Sequence, residues 1–138
     1  MESISEIRFQ VRSTEIDVNA HVNNAKFLEY LEWGREDWFE RRGLDYESLL
    51  GLDVITVLAR IEANYRKEAR QNDTLRVETQ LISVGNTSLK MRQCIDNQRG
   101  ELVLDAIVIV VTVEAKLRRP TRVPDAIRRH LSVANHET

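Results

Sequence analysis

The 138-residue chain is poor in the residues that build disulfides, metal centres and several common catalytic motifs. Its single cysteine, Cys94, excludes an intrachain disulfide and favours a reducing compartment such as the cytosol. The three histidines, His21, His130 and His136, lack the spacing of metal ligands, so the sequence predicts no metal site and no cofactor. Neither a G-x-S-x-G nor a G-x-x-x-x-G-K-S/T motif occurs, which excludes a nucleophile elbow and a P-loop.

Long apolar runs and a strong charge of one sign are also absent. The longest apolar run, residues 106–113, is far too short to span a bilayer, and the first residues lack the pattern of a signal peptide. The net charge of −2 argues against a general nucleic-acid binder. The length and the hydrophobic fraction of 42% are typical of one globular domain, which we expect over residues 1–138. Together with the absences above, they predict a cytoplasmic protein with neither nucleic acid nor membrane as a partner.

Alternation of apolar and polar residues predicts five strands. The first contains Ile7, Phe9 and Val11. The later strands are predicted at 55–65, 75–81, 89–95 and 102–114. Short turns between these four indicate a meander, and the last is apolar on both faces, which places it in the sheet interior.

A long helix is predicted between the first strand and the others. Asn23 or Asn24 is suited to cap its start, and Gly43 to end it after about Arg42. Four residues share one face at helical spacing: Phe27, Leu31, Gly34 and Trp38. The expected fold is therefore α+β, with an antiparallel sheet around one long central helix.

The start of this helix is crowded with polar side chains. Within the segment TEIDVNAHVNNAKFLEYLEWGR, the residues in question are Asp17, Asn19, His21, Asn23 and Asn24. Free N–H groups and the macrodipole at a helix start favour negative charge, and a nearby carboxylate can attack a carbonyl or activate water. The arrangement therefore suits chemistry on an acyl group.

The same segment resembles the D-x-x-x-H-V-N-N-x-x-Y/F-L-x-Y/F-x-E-x-x-R signature of hotdog-fold acyl thioesterases. That family includes 4-hydroxybenzoyl-CoA thioesterases, bacterial long-chain acyl-CoA thioesterases and plant acyl-carrier-protein thioesterases. The resemblance implies the hotdog fold and hydrolysis of an acyl thioester. It also implies that Asp17 is the nucleophile or general base and that the Asn24 N–H polarises the thioester carbonyl.

Two further features match the plant-type pattern. Asn19 and His21 complete D-x-N-x-H-V-N-N, in which these residues orient the acid and assist proton transfer. Tyr65-Arg66-Lys67-Glu68 matches Y-R-R-E, and the resemblance adds Glu68 to the expected catalytic residues. His21 as a structural residue, bonded to a main-chain carbonyl, is the alternative.

Basic residues are expected to bind the phosphates of CoA. Arg66, Lys67 and Arg70 form one candidate cluster. A second cluster consists of Lys116, Arg118, Arg119 and Arg122. The resemblance favours a fatty acyl group, while the carrier, CoA or acyl-carrier protein, stays open.

Two other functions compete with hydrolysis. A hotdog enoyl-thioester hydratase has its His five residues after the Asp, whereas His21 lies four after Asp17. A non-catalytic acyl-CoA-binding module, as in hotdog regulators, would come with a DNA-binding domain, for which we expect no room in 138 residues. The resemblance also implies a homodimer or homotetramer, and Trp33, Trp38 and the apolar last strand suggest surface for a partner.

Overall fold

The computed structural model describes residues 4–131, so His136 lies outside the described residues. Within them, the strands are β1 (Ile4–Gln10), β2 (Val54–Tyr65), β3 (Thr74–Val84), β4 (Ser88–Asp96) and β5 (Leu102–Glu114). The helices are α1 (Asn24–Arg41), α2 (Tyr46–Leu50) and α3 (Asp125–Arg128), with a 3-10 turn at Ser13–Glu15. The predicted order of one strand, a long helix and four more strands is confirmed.

One antiparallel sheet contains all five strands in the order β1-β3-β4-β5-β2. β3, β4 and β5 form a meander, but β2 lies beside β5, with Val57 opposite Val111 and Tyr65 opposite Leu104. The predicted four-strand meander is therefore wrong at its first step. Alternation shows which face of a strand is buried and carries no information about its neighbour in the sheet. The interior position predicted for β5 is confirmed.

Local sequence explains where α1 begins and ends. The Asn23 side chain accepts a hydrogen bond from the Ala25 N–H at 2.8 Å, as an N-cap does. After Arg41 the chain leaves the helix, and Gly43 has a φ of +70°, the left-handed conformation that glycine adopts without strain. Both predicted helix boundaries are confirmed to within one residue.

The predicted apolar face of α1 packs against β1 and β3. Its four members, Phe27, Leu31, Gly34 and Trp38, are all buried. A Cβ on Gly34 would lie 2.8 Å from both Thr79 Oγ1 and Val77 Cγ1, so the missing side chain allows the helix to approach the sheet closely. The burial of Trp38 means that it offers no surface to a partner, contrary to our expectation.

The core-facing side of β2 is not fully covered by α1. Leu58 pairs with buried Val110, and Tyr65 with buried Leu104, so both side chains point to the core face. They are nevertheless 47% and 48% exposed. An open apolar surface therefore runs along β2 beside the helix.

Among residues 4–131, none of the helices is both long enough and apolar enough to cross a membrane. The same residues contain no group of three or more histidine, cysteine or acidic side chains arranged to hold a metal ion.

Candidate active site

Asp17 opens a tight turn that leads to α1. Its N–H donates to the His21 carbonyl at 2.8 Å, and its carbonyl accepts from Ala20 at 3.0 Å. Asp17 Oδ1 accepts from the Asn19 N–H at 2.9 Å, so Asn19 supports the acid through its main chain. Among residues 4–131 no group donates to Asp17 Oδ2, and the side chain is exposed. The carboxylate thus stabilises its own turn through Oδ1, and Oδ2 is available for water or substrate.

Within residues 4–131, one N–H in the first turn of α1 has no acceptor. The Asn23 side chain accepts from the Ala25 N–H, and the Asn23 carbonyl accepts from Lys26 at 2.9 Å. No acceptor for the Asn24 N–H lies within the described part of the chain. Because the helix dipole adds to its partial positive charge, this N–H is suited to bind a developing oxyanion.

His21 and Glu68 lie in contact, although 47 sequence positions separate them. His21 Nε2 is 2.8 Å from Glu68 Oε2, and Arg70 donates to Glu68 Oε1 at 2.7 Å. The Arg70 hydrogen bond is the main cause that lowers the pKa of Glu68; it outweighs the opposing effect of burial, and the charge of His21 adds a smaller lowering. Glu68 is therefore ionised at neutral pH, and its second oxygen is directed at the imidazole.

Main-chain contacts join these two segments. The Val22 N–H donates to the Ala69 carbonyl at 2.8 Å, and His21 pairs with Arg70 as an isolated antiparallel bridge. The structure thus brings the predicted catalytic residues to one end of the molecule: Asp17, Asn19, His21, Asn24 and Glu68.

Tyr65 also reaches this site and was not predicted to do so. Its hydroxyl donates to the Asn24 carbonyl at 3.0 Å, and its ring lies 5.8 Å from that of Phe27. The sequence predicted a strand that ends at Tyr65, but a contact across 41 positions depends on the strand order. Tyr65 ties the end of β2 to the start of α1.

Each residue of the first basic cluster is ion-paired. Arg66 Nε lies 2.7 Å from Asp105, Lys67 Nζ lies 3.6 Å from Glu101, and Arg70 bonds Glu68 as described above. Lys67 and Arg70 line a shallow depression beside the site, and Arg99, which the prediction missed, lies there too. Arg99 follows β4 in sequence, so only the fold places it near the others.

The second basic cluster lies far from Asp17. Arg119 pairs with Glu114 at the end of β5, whereas the site adjoins the start of β5, where Leu104 lies opposite Tyr65. The ten-residue rise between Leu104 and Glu114 separates these ends by ~33 Å. The fold therefore favours the first cluster as the one that serves the site.

A groove extends from the open face of β2 between α1 and α2. Its apolar lining includes Phe39, Leu44, Leu49, Val54, Leu58 and Val110. Polar groups, among them Arg35, line its walls. The Arg35 guanidinium donates to the buried Gln93 side chain at 3.0 Å. The groove begins near Leu58 on the uncovered surface of β2 and extends away from the start of α1, toward Val54, which lies opposite Glu114.

Comparison with known proteins decides the family. The profile of the thioesterase-like superfamily matches residues 11–131. The chain belongs to this superfamily. The long-chain acyl-CoA thioesterase FadM of Escherichia coli K12 is 30% identical over 125 residues, which are 90% of this chain and 94% of FadM. The acyl-CoA thioester hydrolase YbgC of Escherichia coli O6:H1 is 26% identical over 82% of this chain and 84% of YbgC.

The fold of this thioesterase is likewise shared. A 1,4-dihydroxy-2-naphthoyl (DHNA)-CoA thioesterase structure from Staphylococcus aureus superposes with a TM-score of 0.86. The match covers 98% of this chain and 95% of the other at 18% identity, so it shows the fold alone. The hotdog fold and the thioesterase activity expected from the resemblance are confirmed, and this family favours hydrolysis over hydration or mere binding.

Proposed function

We propose that this thioesterase hydrolyses fatty acyl-CoA thioesters at the start of α1, with Asp17 as the reacting acid. One observation carries the proposal. The Asp17 carboxylate has an oxygen without a donor, in the turn that precedes a helix whose Asn24 N–H has no acceptor among residues 4–131. An acid and an oxyanion donor are the two groups that acyl transfer requires.

Two routes use these groups. In one, Asp17 takes a proton from water while the water oxygen attacks the thioester carbon. The carbonyl oxygen then carries the negative charge, and the Asn24 N–H stabilises this charge until the carbon–sulfur bond breaks. The leaving thiolate then receives the proton that Asp17 took from water. In the other, an Asp17 oxygen attacks directly, the thiolate leaves, and water hydrolyses the resulting anhydride.

His21 and Glu68 support proton transfer in this scheme. Arg70 holds Glu68 ionised, and the second carboxylate oxygen of Glu68 lies 2.8 Å from His21 Nε2. The His21 carbonyl accepts a hydrogen bond from the Asp17 N–H, so His21 and the acid belong to the same turn. His21 is thus placed to pass the proton that Asp17 took from water to the leaving thiolate.

The groove beside β2 is our candidate for the acyl chain. Leu58 lies on its wall and is half exposed in the isolated chain. The name of the relative FadM indicates long acyl chains for that protein, and this apolar groove supports the same preference here. Burial of each methylene contributes about 0.8 kcal/mol, so longer chains should bind more tightly until the groove is full.

Leu58→Trp should move the chain-length preference toward shorter substrates. The larger ring shortens the groove, so kcat/KM should fall about tenfold for long-chain acyl-CoA and stay nearly constant for short-chain acyl-CoA. Steady-state rates with a thiol-trapping dye measure both. Leu117→Trp, at another exposed leucine, is the control. An equal loss for both chain lengths would contradict this placement of the acyl chain.

The first basic cluster is proposed to bind the CoA phosphates. Arg70→Ala removes a charge next to Glu68, and Arg66→Ala removes one paired with Asp105. Each should raise KM for acyl-CoA about fivefold, and have less effect on a pantetheine thioester that lacks the nucleotide. Arg119→Ala, at the far end of β5, is the matched control. Equal effects on both substrates would mean that these arginines do not contact the nucleotide.

We also propose that the working unit is a dimer, or a tetramer built from it, in which β2 strands pair edge to edge. The two edges of the sheet differ. Arg41 and Arg42 donate to the carbonyls of Glu6 and Ile4, so side chains cover part of the β1 edge. Among residues 4–131 no side chain bonds the main chain of β2 in this way. A long unprotected edge strand favours pairing with a second chain.

Val57→Glu should dissociate this dimer. Val57 is 44% exposed on β2, and two such charges facing one another across a two-fold axis would repel. We expect the wild type to be dimeric or larger by light scattering at micromolar concentration, and the variant to be smaller and inactive. Leu117→Glu, also an exposed apolar residue, should change neither. A monodisperse wild-type species of 16.0 kDa with full activity would refute the dimer.

A further inference from the structure

Glu15 joins the two ends of the loop that carries Asp17. Its main-chain carbonyl accepts from the Asn23 N–H at 3.2 Å, directly before α1. Its side-chain Oε1 accepts from the Arg12 N–H at 3.0 Å, at the end of β1. The intervening loop closes as a narrow hairpin in which Ile16 pairs with Val22. Glu15 therefore connects the end of β1 to the start of α1 on either side of Asp17.

Tyr30 fixes Glu15 to the helix. The Tyr30 hydroxyl donates to Glu15 Oε1 at 2.8 Å, from the second turn of α1. Tyr30 is completely buried, whereas Glu15 is half-buried. Burial, and then the bond to Glu15, raise the pKa of Tyr30 far above its ordinary value, so the hydroxyl stays protonated and acts as the donor.

The aromatic packing of Tyr30 does not require this hydroxyl. Its ring lies 4.6 Å from that of Phe9, 5.8 Å from Phe27 and 5.2 Å from Trp33. A phenylalanine would keep these contacts. The hydroxyl therefore has a separate effect, which is to hold the Glu15 side chain against α1.

We propose that Glu15 and Tyr30 are positioning residues, which hold the Asp17 turn in register with the Asn24 N–H. The proposal rests on the reacting role proposed above for Asp17. Neither residue contacts the reacting atoms, and each acts through the loop. A displacement of the acid by about 1 Å is enough to lower the rate ~10²-fold. Loss of the Tyr30–Glu15 hydrogen bond therefore reduces turnover far more than it reduces substrate binding.

Tyr30→Phe is the first variant. We expect kcat to fall ~10- to 30-fold with KM changed less than about twofold, because the reacting geometry is lost while the groove and basic cluster are intact. Thr112→Val is the matched control. Thr112 is also completely buried and donates through its hydroxyl to the Thr121 carbonyl at 2.7 Å, at the far end of β5. Thr112→Val should lower the melting temperature about as much as Tyr30→Phe does, but it should leave kcat unchanged.

Glu15→Gln and Glu15→Ala separate positioning from acid–base chemistry. A glutamine oxygen can accept from the Tyr30 hydroxyl and the Arg12 N–H, so Glu15→Gln should keep most of the turnover and an unchanged pH profile. Glu15→Ala removes the acceptor of both the Tyr30 hydroxyl and the Arg12 N–H, so it should be at least as slow as Tyr30→Phe. The double variant Tyr30→Phe/Glu15→Ala should be no slower than Glu15→Ala, since that single variant already lacks the Tyr30–Glu15 hydrogen bond. Because Glu15 is half-buried, its variants also answer the question if Tyr30→Phe folds poorly.

Amide hydrogen exchange supplies a test that does not depend on activity. In Tyr30→Phe and Glu15→Ala, exchange over residues 15–23 should accelerate at least ~10-fold, while exchange in β4 and β5 stays as in the wild type. This outcome does not depend on whether Asp17 is the reacting acid. The turnover of Asp17→Asn tests that role separately. Unchanged exchange in this loop, wild-type kcat in Tyr30→Phe, or equal inactivity of Glu15→Gln and Glu15→Ala would each overturn the proposal.

Discussion

Replacing Asp17 with asparagine should lower kcat at least ~10²-fold and leave KM within about twofold. The amide is nearly isosteric and can still accept from the Asn19 N–H, so the turn should persist. What it loses is the ability to take a proton from water or to attack a thioester. The effect should therefore appear in the chemical step and not in substrate binding.

Asp53→Asn is the matched control for this change. Asp53 Oδ1 also accepts a main-chain hydrogen bond, from Lys116 at 3.1 Å, in a loop at the opposite end of β5. An asparagine there makes the same bond and should leave kcat unchanged. If the Asp17→Asn enzyme, correctly folded by circular dichroism, keeps more than about a third of wild-type turnover, Asp17 is not the reacting acid.

Removal of a single main-chain N–H should have a comparable effect. Asn24→Pro deletes the proposed oxyanion donor, and proline is favoured at the first position of a helix. Asn23 already has φ −59° and ψ 138°, the conformation that a following proline requires. The Asn24 carbonyl that accepts from Tyr65 is kept. Loss of one such donor should lower kcat ~10²- to 10³-fold.

Asn24→Ala is the control that isolates the N–H from the side chain. Alanine keeps the donor, so its kcat should stay within about threefold of the wild type. Similar helical content by circular dichroism in both variants would show that the helix start is preserved. Equal losses in the alanine and proline variants would assign the role to the side chain, and a proline variant with more than a tenth of wild-type kcat would exclude the donor altogether.

The local part of this structure was predictable from the sequence. Asn23 and Gly43 marked the ends of α1, and the spacing of Phe27, Leu31 and Gly34 identified its buried face. These features depend on capping and on side-chain periodicity, which operate within a few residues. The catalytic candidates clustered in one short segment, so their proximity followed largely from the chain itself.

The features that sequence patterns did not reveal depend on strand order. The position of β2 beside β5 determines that Tyr65 meets Asn24 and that the second basic cluster lies far from the site. Trp38 was expected at a partner surface, but it packs beneath Arg42 in the core, and the exposed apolar surface lies on β2 instead. Such long-range pairings are not encoded in the alternation of a single strand.

Glu15 illustrates a third limit. It lies in the segment that contains the motif, two residues before Asp17, yet nothing in its spacing from Asp17 indicated a role. Its contact with Tyr30 spans 15 positions and depends on the angle at which the loop returns to the helix. A glutamate in a polar loop is ordinarily solvated, and only the burial of its tyrosine partner distinguishes this one.

The most direct test of the central claim is the release of CoA thiol by the purified wild-type protein, followed with a thiol-trapping dye. Short-, medium- and long-chain acyl-CoA substrates are compared, with the Asp17→Asn protein measured in parallel. We expect the wild-type protein to catalyse this release with a kcat/KM that rises with chain length, and we expect the variant to lack this activity. Release at only the uncatalysed rate for every chain length, or equal release by the variant, would contradict the proposed function.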